Sequence, residues 1–376
     1  MTYNLYFLTF NCLKFHAINR NFVYKKMDVL SKKILSDRGE FNVFRLINSH
    51  GCEVGLSSVG AGITSVKVPD KYGQMADVVL GYVVPTDYFY DSACAGKTPG
   101  RYANRIARGR FTIDGHEYQL EINNPPNALH GGNNGFGNVI WHAEEKEAGV
   151  RFFYHAKDGE EGYPGAMDVT VDYEWNDDNE LTIKYVATAD RPTIVNLTNH
   201  AYFNLAGENS GSCLGQKLMM NCHRWLPADE TDIPFGYIEP VEGTPMDFLY
   251  AKTLGRDIGA DFGNMRAGKG YNHFFFVDGW KNDGRLRLIA VLDDDASGRR
   301  LSVYSTQCGA MLYTGNWLAD NLPISKSGRK YDDYDGVAIE CQGAPDAPNH
   351  PSLPCQVLRP GETYRHFIKY VFSVDR

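Results

Sequence analysis

The stretch Val169-Thr-Val171-Asp-Tyr173-Glu-Trp175 alternates apolar and polar side chains, breaks at Asn176-Asp-Asp-Asn179, and resumes in Leu181-Thr-Ile183-Lys-Tyr185. A strand throws successive side chains to opposite faces, so this spacing gives each arm one apolar and one polar face, with the Asn/Asp cluster as the turn. The segment reads as an antiparallel hairpin. Outward from it, Arg110-Phe-Thr-Ile113 and His116-Glu-Tyr-Gln-Leu120 flank Asp114-Gly115, a dipeptide that tolerates the positive φ angles of a tight primed turn. The segment from Arg285 to Leu292, a turn from Asp293 to Gly298, and Arg300-Leu-Ser-Val-Tyr304 make a third hairpin. Helical spacing is scarce, and short strands parted by Gly, Asn and Asp recur from about residue 40 to Ser373. The expected fold is all-β, a large antiparallel β-sandwich.

Hydrophobic residues are 43% of the 376 and charged residues 22%, ordinary globular usage that provides a sizeable core. No linker, repeat or composition shift divides the chain after its start, so residues 35–376 are expected to form one domain. The first 26 residues differ from the rest. Their apolar stretch from Tyr3 to Leu13 has no preceding basic region or small-residue cleavage site and is too short to span a bilayer. Residues 1–34 are therefore expected to be a dispensable extension, and translation from Met27 would remove most of it.

The charge balance, 46 acidic against 38 basic residues, comes without a Lys/Arg cluster and argues against a nucleic-acid partner. No membrane partner is expected, and monomer and homodimer both stay open. The eight cysteines form no CxxC pair and read as reduced thiols, with Cys308 and Cys341 in the core. A cytoplasmic location follows as the expectation, with export through the apolar start as the alternative.

Several look-alike motifs fail on inspection. Gly96-Lys97-Thr98 ends like a phosphate-binding loop, but Asp91 stands where that loop needs its first glycine. Asp293, Asp295, Ser297 and Gly298 imitate the front of a calcium loop, yet the twelfth position is Tyr304, which cannot supply the closing carboxylate. The run Gly131-Gly132-Asn133-Asn134-Gly135-Phe136-Gly137 lacks dinucleotide-binding order and is expected to let a loop approach a ligand closely.

What remains is a scattered polar set in Gly-, Asn- and aromatic-rich segments: Asn104, Arg105, His130, His200, Asp247, Gln307 and Glu340. His200 and Glu340 have the chemistry of an acid/base pair, and the others can bind hydroxyl groups. A structural ion pair with an arginine and a structural histidine are the plain alternatives for that pair, and a loop-stabilising role is the alternative for each of the others. Tyr202, Phe203 and Trp317 could face a sugar ring or pack in the core.

Six segments in order resemble the aldose 1-epimerase, or galactose mutarotase, family: Gly100-Arg-Tyr-Ala-Asn-Arg-Ile-Ala107, Asn127-Ala-Leu-His-Gly-Gly132, Thr198-Asn-His-Ala-Tyr-Phe-Asn-Leu205, Gly243-Thr-Pro-Met-Asp-Phe248, Thr306-Gln307 with Tyr313-Thr-Gly-Asn316, and Glu340 with Pro345-Asp-Ala-Pro-Asn349. The resemblance runs from about residue 40 to the C-terminus. It implies a galactose mutarotase-like sandwich that opens and recloses the ring of a free hexose such as glucose or galactose, with no metal or cofactor. It further implies Glu340 as base and His200 as acid, straddling a cleft of monosaccharide size. Asn104, Arg105, His130, Asp247 and Gln307 take the sugar-binding positions.

Histidine suits the acid's task because it titrates near pH 6.5 in peptides. Two rivals stay open, a hexose-phosphate substrate and a non-catalytic sugar-binding protein on the same scaffold. One segment departs from the family pattern: Tyr271-Asn272-His273-Phe274 carries an amide where relatives often carry a carboxylate, and Phe where they carry Asn.

Overall fold

Period-two alternation builds two stacked sheets, and the same alternation decides which side chains reach the site. The computed structural model describes residues 27–319, 322–355 and 357–375. A nine-stranded antiparallel sheet runs in the order His142–Lys146, Gly149–Ala156, Met167–Trp175, Glu180–Ala189, Tyr364–Val374, Arg299–Ser305, Arg287–Asp294, Lys217–Met220, Lys252–Thr253. A six-stranded sheet is ordered Tyr202–Phe203, Val337–Gln342, Gly309–Tyr313, Asn272–Phe276, Arg224–Leu226, Glu239–Pro240. A five-stranded sheet from Asp28–Ser36 to Met75–Asp77 completes the frame.

All three expected hairpins are present. Trp175 pairs with Leu181 across the Asn176–Asn179 turn, and Asn179 takes a left-handed φ of 56° there. Ile113 pairs with His116 across Asp114 and Gly115, whose φ angles of 51° and 82° are those the dipeptide was expected to adopt. In the third hairpin the strands run further than expected, to Asp294 and Arg299, so the turn is shorter. Residues 1–26 lie outside the described residues. The strand Asp28–Ser36 pairs along its whole length with Gly39–Ile47, so residues 28–34 of the expected extension belong to the five-stranded sheet.

The two larger sheets bury their facing sides in one apolar cluster. Val169, Val171, Tyr173, Ile183, Tyr185, Val303 and Tyr370 of the larger sheet pack with Phe203, Leu312, Val337 and Ile339 of the smaller. Phe203 meets Tyr370 edge-on at a centroid distance of 5.1 Å, a favoured aromatic geometry. Because strand neighbours point opposite ways, each core residue fixes its neighbour on the outer face. Phe203 goes inward and Tyr202 outward; Ile339 and Cys341 go inward and Glu340 outward. Cys308 and Cys341 are buried in the core as expected. Every residue of Val337–Gln342 is buried, as expected for a central strand covered on both faces.

The glycine run after His130 is required by close packing within the chain. A Cβ on Gly131, at φ +89°, would lie 1.8 Å from the Gly100 carbonyl oxygen, and one on Gly132 2.0 Å from Glu161 Oε2. These glycines let the His130 loop lie against other parts of the chain. Gly131→Ala is expected to destabilise the protein by several times the cost at Gly211, where φ is +83° but nothing stands within 4 Å. At Gly211 only the left-handed strain of about 1 kcal/mol applies. Thermal denaturation of the two variants checks this, and equal midpoints would contradict it.

Candidate active site

Two short segments outside the main sheets form the first wall of the site. Arg105–Ile106 pairs with Ala128–Leu129, with Arg105 opposite Leu129, which brings His130 beside Asn104. The Asn104 backbone N–H donates to His130 Nδ1 at 3.1 Å, and the His130 N–H donates back to the Asn104 carbonyl at 3.1 Å. Asn104 and His130 both take left-handed backbone angles, φ 70° and 53°, which aim two polar side chains at one point. Burial, reinforced by His200 and Arg105, pushes the His130 imidazole well below the usual histidine range. It is therefore neutral, and with Nδ1 accepting, its proton sits on Nε2 as a fixed donor.

The second wall is the outer face of the six-stranded sheet. Tyr202, Ala338, Tyr313 and Asn272 lie in register across four strands, and Glu340 stands two residues beyond Ala338 on the same face. His200 enters just before Tyr202, where its backbone bonds to both Gly96 and Lys97. Lys97, the lysine of the phosphate-loop look-alike, is fully buried in an ion pair with Asp91 at 3.4 Å.

His200 and Glu340 do meet. Nε2 of His200 lies 3.5 Å from Oε1 of Glu340, with both side chains almost wholly buried. The expectation that they face each other across a cleft is corrected: they stand side by side on the wall of one cavity of about 300 Å³, the small end of the usual ligand-pocket range. The anomeric hydroxyl and the ring oxygen of a pyranose are bonded to the same carbon, so an acid and a base serving them belong next to each other. The far atoms of the pair, His200 Nδ1 and Glu340 Oε2, are buried without a protein hydrogen-bond partner. Burial pushes the Glu340 carboxyl above the usual carboxylate range, against the pull of His200 and Arg105.

Arg105 and Asn104 line the same cavity. Arg105 Nε donates to Asn124 Oδ1 at 3.1 Å and Nη2 reaches Asp232 Oδ2 at 3.1 Å, leaving its remaining N–H groups for a ligand. Tyr202 and Trp317 also border the cavity, whereas Phe203 packs in the core.

Two expected sugar ligands are elsewhere. The Asp247 carboxylate accepts the backbone N–H groups of Gly243 (3.3 Å) and Leu249 (3.1 Å), so it holds its own loop. Gln307 is fully buried beneath the sheet, its Nε2 donating to the Tyr364 hydroxyl at 3.0 Å. Neither lines the cavity. Asp232, Asn272, Tyr313 and Cys94 do, and the sequence reading assigned none of them to the site.

With this geometry in place, comparison with known proteins is direct. The family model described as aldose 1-epimerase matches residues 42–371. The chain belongs to the aldose 1-epimerase family. It is 42% identical over 339 residues to the galactose mutarotase of Rattus norvegicus, covering 90% of this chain and 96% of that one. To the aldose 1-epimerase of Escherichia coli it is 37% identical over 343 residues, covering 90% and 97%. The crystal structure of an aldose epimerase homologue from C. elegans superimposes with a TM-score of 0.82 at 31% identity, over 92% of this chain and all of that one. The fold is thus the galactose mutarotase-like sandwich that the resemblance implied.

The raised proton affinity of Glu340 has a consequence for stability. Unfolded glutamate titrates near 4.3. A carboxyl whose folded value lies higher contributes its stability fully below that pH and loses it as pH rises through the folded value. Glu340→Gln removes this titration. Its melting temperature relative to the parent is expected to rise between about pH 4 and pH 8, and parallel melting profiles across that interval would contradict the assignment.

Proposed function

We infer that this protein is an aldose 1-epimerase, an isomerase that interconverts the α and β anomers of a free hexose such as glucose or galactose. The observation that carries this reading is the adjacent His200 and Glu340 pair, 3.5 Å apart on the cavity wall, with one buried polar atom of each left without a protein hydrogen-bond partner. Glu340 as carboxylate takes the proton from the anomeric hydroxyl while His200 as imidazolium donates one to the ring oxygen, so the ring C–O bond breaks without free ions forming. Burial makes Glu340 a stronger base than an exposed glutamate. Rotation about the bond to the aldehyde carbon presents its other face. Reclosure then returns both protons, with His200 as base and Glu340 as acid.

Arg105, His130 and Asn104 supply the hydroxyl-binding groups. Arg105 offers fixed donors and His130 its Nε2–H. Against a hexose-phosphate substrate stands the pairing of Arg105 with Asp232, which leaves no uncompensated permanent cation among the described residues that line the cavity. A purely sugar-binding protein would have no use for an acid and a base left uncapped beside each other. A reducing compartment such as the cytoplasm is part of the reading, supported by seven free cysteines among the described residues.

Polarimetry on freshly dissolved α-glucose and α-galactose, corrected for spontaneous mutarotation, tests it. Glu340→Gln and His200→Asn are each expected to lower kcat at least about a hundredfold, the low end of general acid/base contributions. Arg105→Ala should instead act mainly on KM. Parent-like kcat in either of the first two variants, or an inactive parent, would overturn the reading.

A further inference from the structure

Asp232 is, among the described residues, the one carboxylate besides Glu340 on the cavity wall, and the chain around it is arranged to hold it there. It sits in the loop between Arg224–Leu226 and Glu239–Pro240 at φ 60°, a left-handed angle that Asp and Asn adopt most readily among residues other than glycine. Three donors from three segments converge on it. Asn264 Nδ2 donates to Oδ1 at 2.7 Å, Asn272 Nδ2 to Oδ2 at 2.9 Å, and Arg105 Nη2 lies 3.1 Å from Oδ2. The orientation of the Asn264 amide is itself fixed. The Asn272 backbone N–H donates to His273 Nδ1 at 3.0 Å, which leaves the His273 proton on Nε2, and Nε2 meets Asn264 Oδ1 at 2.6 Å. That bond turns the Asn264 amide nitrogen toward Asp232.

An ionised carboxylate has about four lone-pair sites, and these donors occupy three. The remaining acceptor is on Oδ1, the oxygen with a single donor. The residue is partly exposed and lines the cavity, where its side-chain partners are Arg105, Asn264 and Asn272 rather than the reacting pair.

Resting on the epimerase reading above, we propose that Asp232 is a specificity-determining sugar ligand, its free lone pair accepting a hydrogen bond from one sugar hydroxyl other than the anomeric one. Arg105 beside it donates to the oxygen of that hydroxyl or its neighbour. The paired acceptor and donor form a corner that matches a hydroxyl group, which is both donor and acceptor, and disfavours a phosphate, which would meet the carboxylate.

The test is the polarimetric KM and kcat of the parent, Asp232→Asn and Asp232→Gly on glucose and on its 2-, 3-, 4- and 6-deoxy analogues. Both replacements tolerate the left-handed backbone, so one covers for the other should either fold poorly. On glucose, KM is expected to rise roughly ten- to a hundredfold, as for loss of a hydrogen bond to a charged group, with kcat within about threefold of the parent. That penalty should vanish for the one deoxy sugar that lacks the recognised hydroxyl and persist for the other three. A penalty equal on all five sugars would mean that Asp232 only positions Arg105, and an unchanged KM would mean that it does not act at all; either overturns the proposal and leaves the epimerase reading standing. An inactive parent would instead overturn that reading.

Discussion

The site depends on a carboxylate and an imidazole buried together with their hydrogen-bonding capacity unfilled. The fold supplies a direct contrast in the Asp91 and Lys97 pair, which is equally buried. Asp91 accepts from the Tyr82 hydroxyl and from the backbone N–H groups of Ala93 and Ala95, and Lys97 also donates to Asn138. That pair is a structural pin behind His200. Glu340 and His200 are buried too, but with an orphaned atom each, on the wall of a cavity. Burying ionisable groups without full partners costs stability, and a catalytic role is one of the reasons for which proteins retain them.

The alternating pattern made most of the fold legible. It locates the hairpins and puts Glu340 opposite in direction to Ile339, so the packing of the core face aims the base outward. Asn104, Arg105, His130 and His200 were legible because short, continuous segments carry them: two left-handed residues and one two-residue ladder bring three of them together. Asp247 and Gln307 were misread for a shared reason. Each is polar and lies in a motif that resembles the family, but the oxygens of Asp247 are taken by its own loop and the amide of Gln307 turns to Tyr364 beneath the sheet. Sequence carries no sign of which way a loop carboxylate turns.

Asp232 was invisible for the converse reason. It lies in Asp229-Glu-Thr-Asp232, an ordinary polar turn with no periodicity, and its importance comes from Arg105, Asn264 and Asn272, far from it in sequence. The available signal was indirect. The segment Tyr271-Asn272-His273-Phe274 departs from the family's usual carboxylate, and the structure supplies the physical complement of that departure. An amide at 272 donates a hydrogen bond to Asp232, where a second carboxylate at the same 2.9 Å would place two like charges in contact. The position that looked like a loss is the partner of a charge held on another loop.

The groups around the cavity differ in what they must do, although they stand close together, the His130 and His200 rings 5.3 Å apart. The reacting pair must change protonation during turnover, and burial leaves Glu340 with a raised proton affinity against the pull of His200 beside it. The binding groups must keep their orientation. Arg105 is a permanent cation, three donors pull Asp232 toward the carboxylate form although burial leaves its proton affinity raised on balance, and burial keeps His130 neutral with Nδ1 accepting from Asn104. A sugar hydroxyl bound by them meets oriented donors and acceptors while protons move on the reacting pair. Ring opening swings the anomeric carbon, and the product anomer must reclose without leaving. Holding the unreactive hydroxyls on oriented groups lets the chain do both with one small cavity.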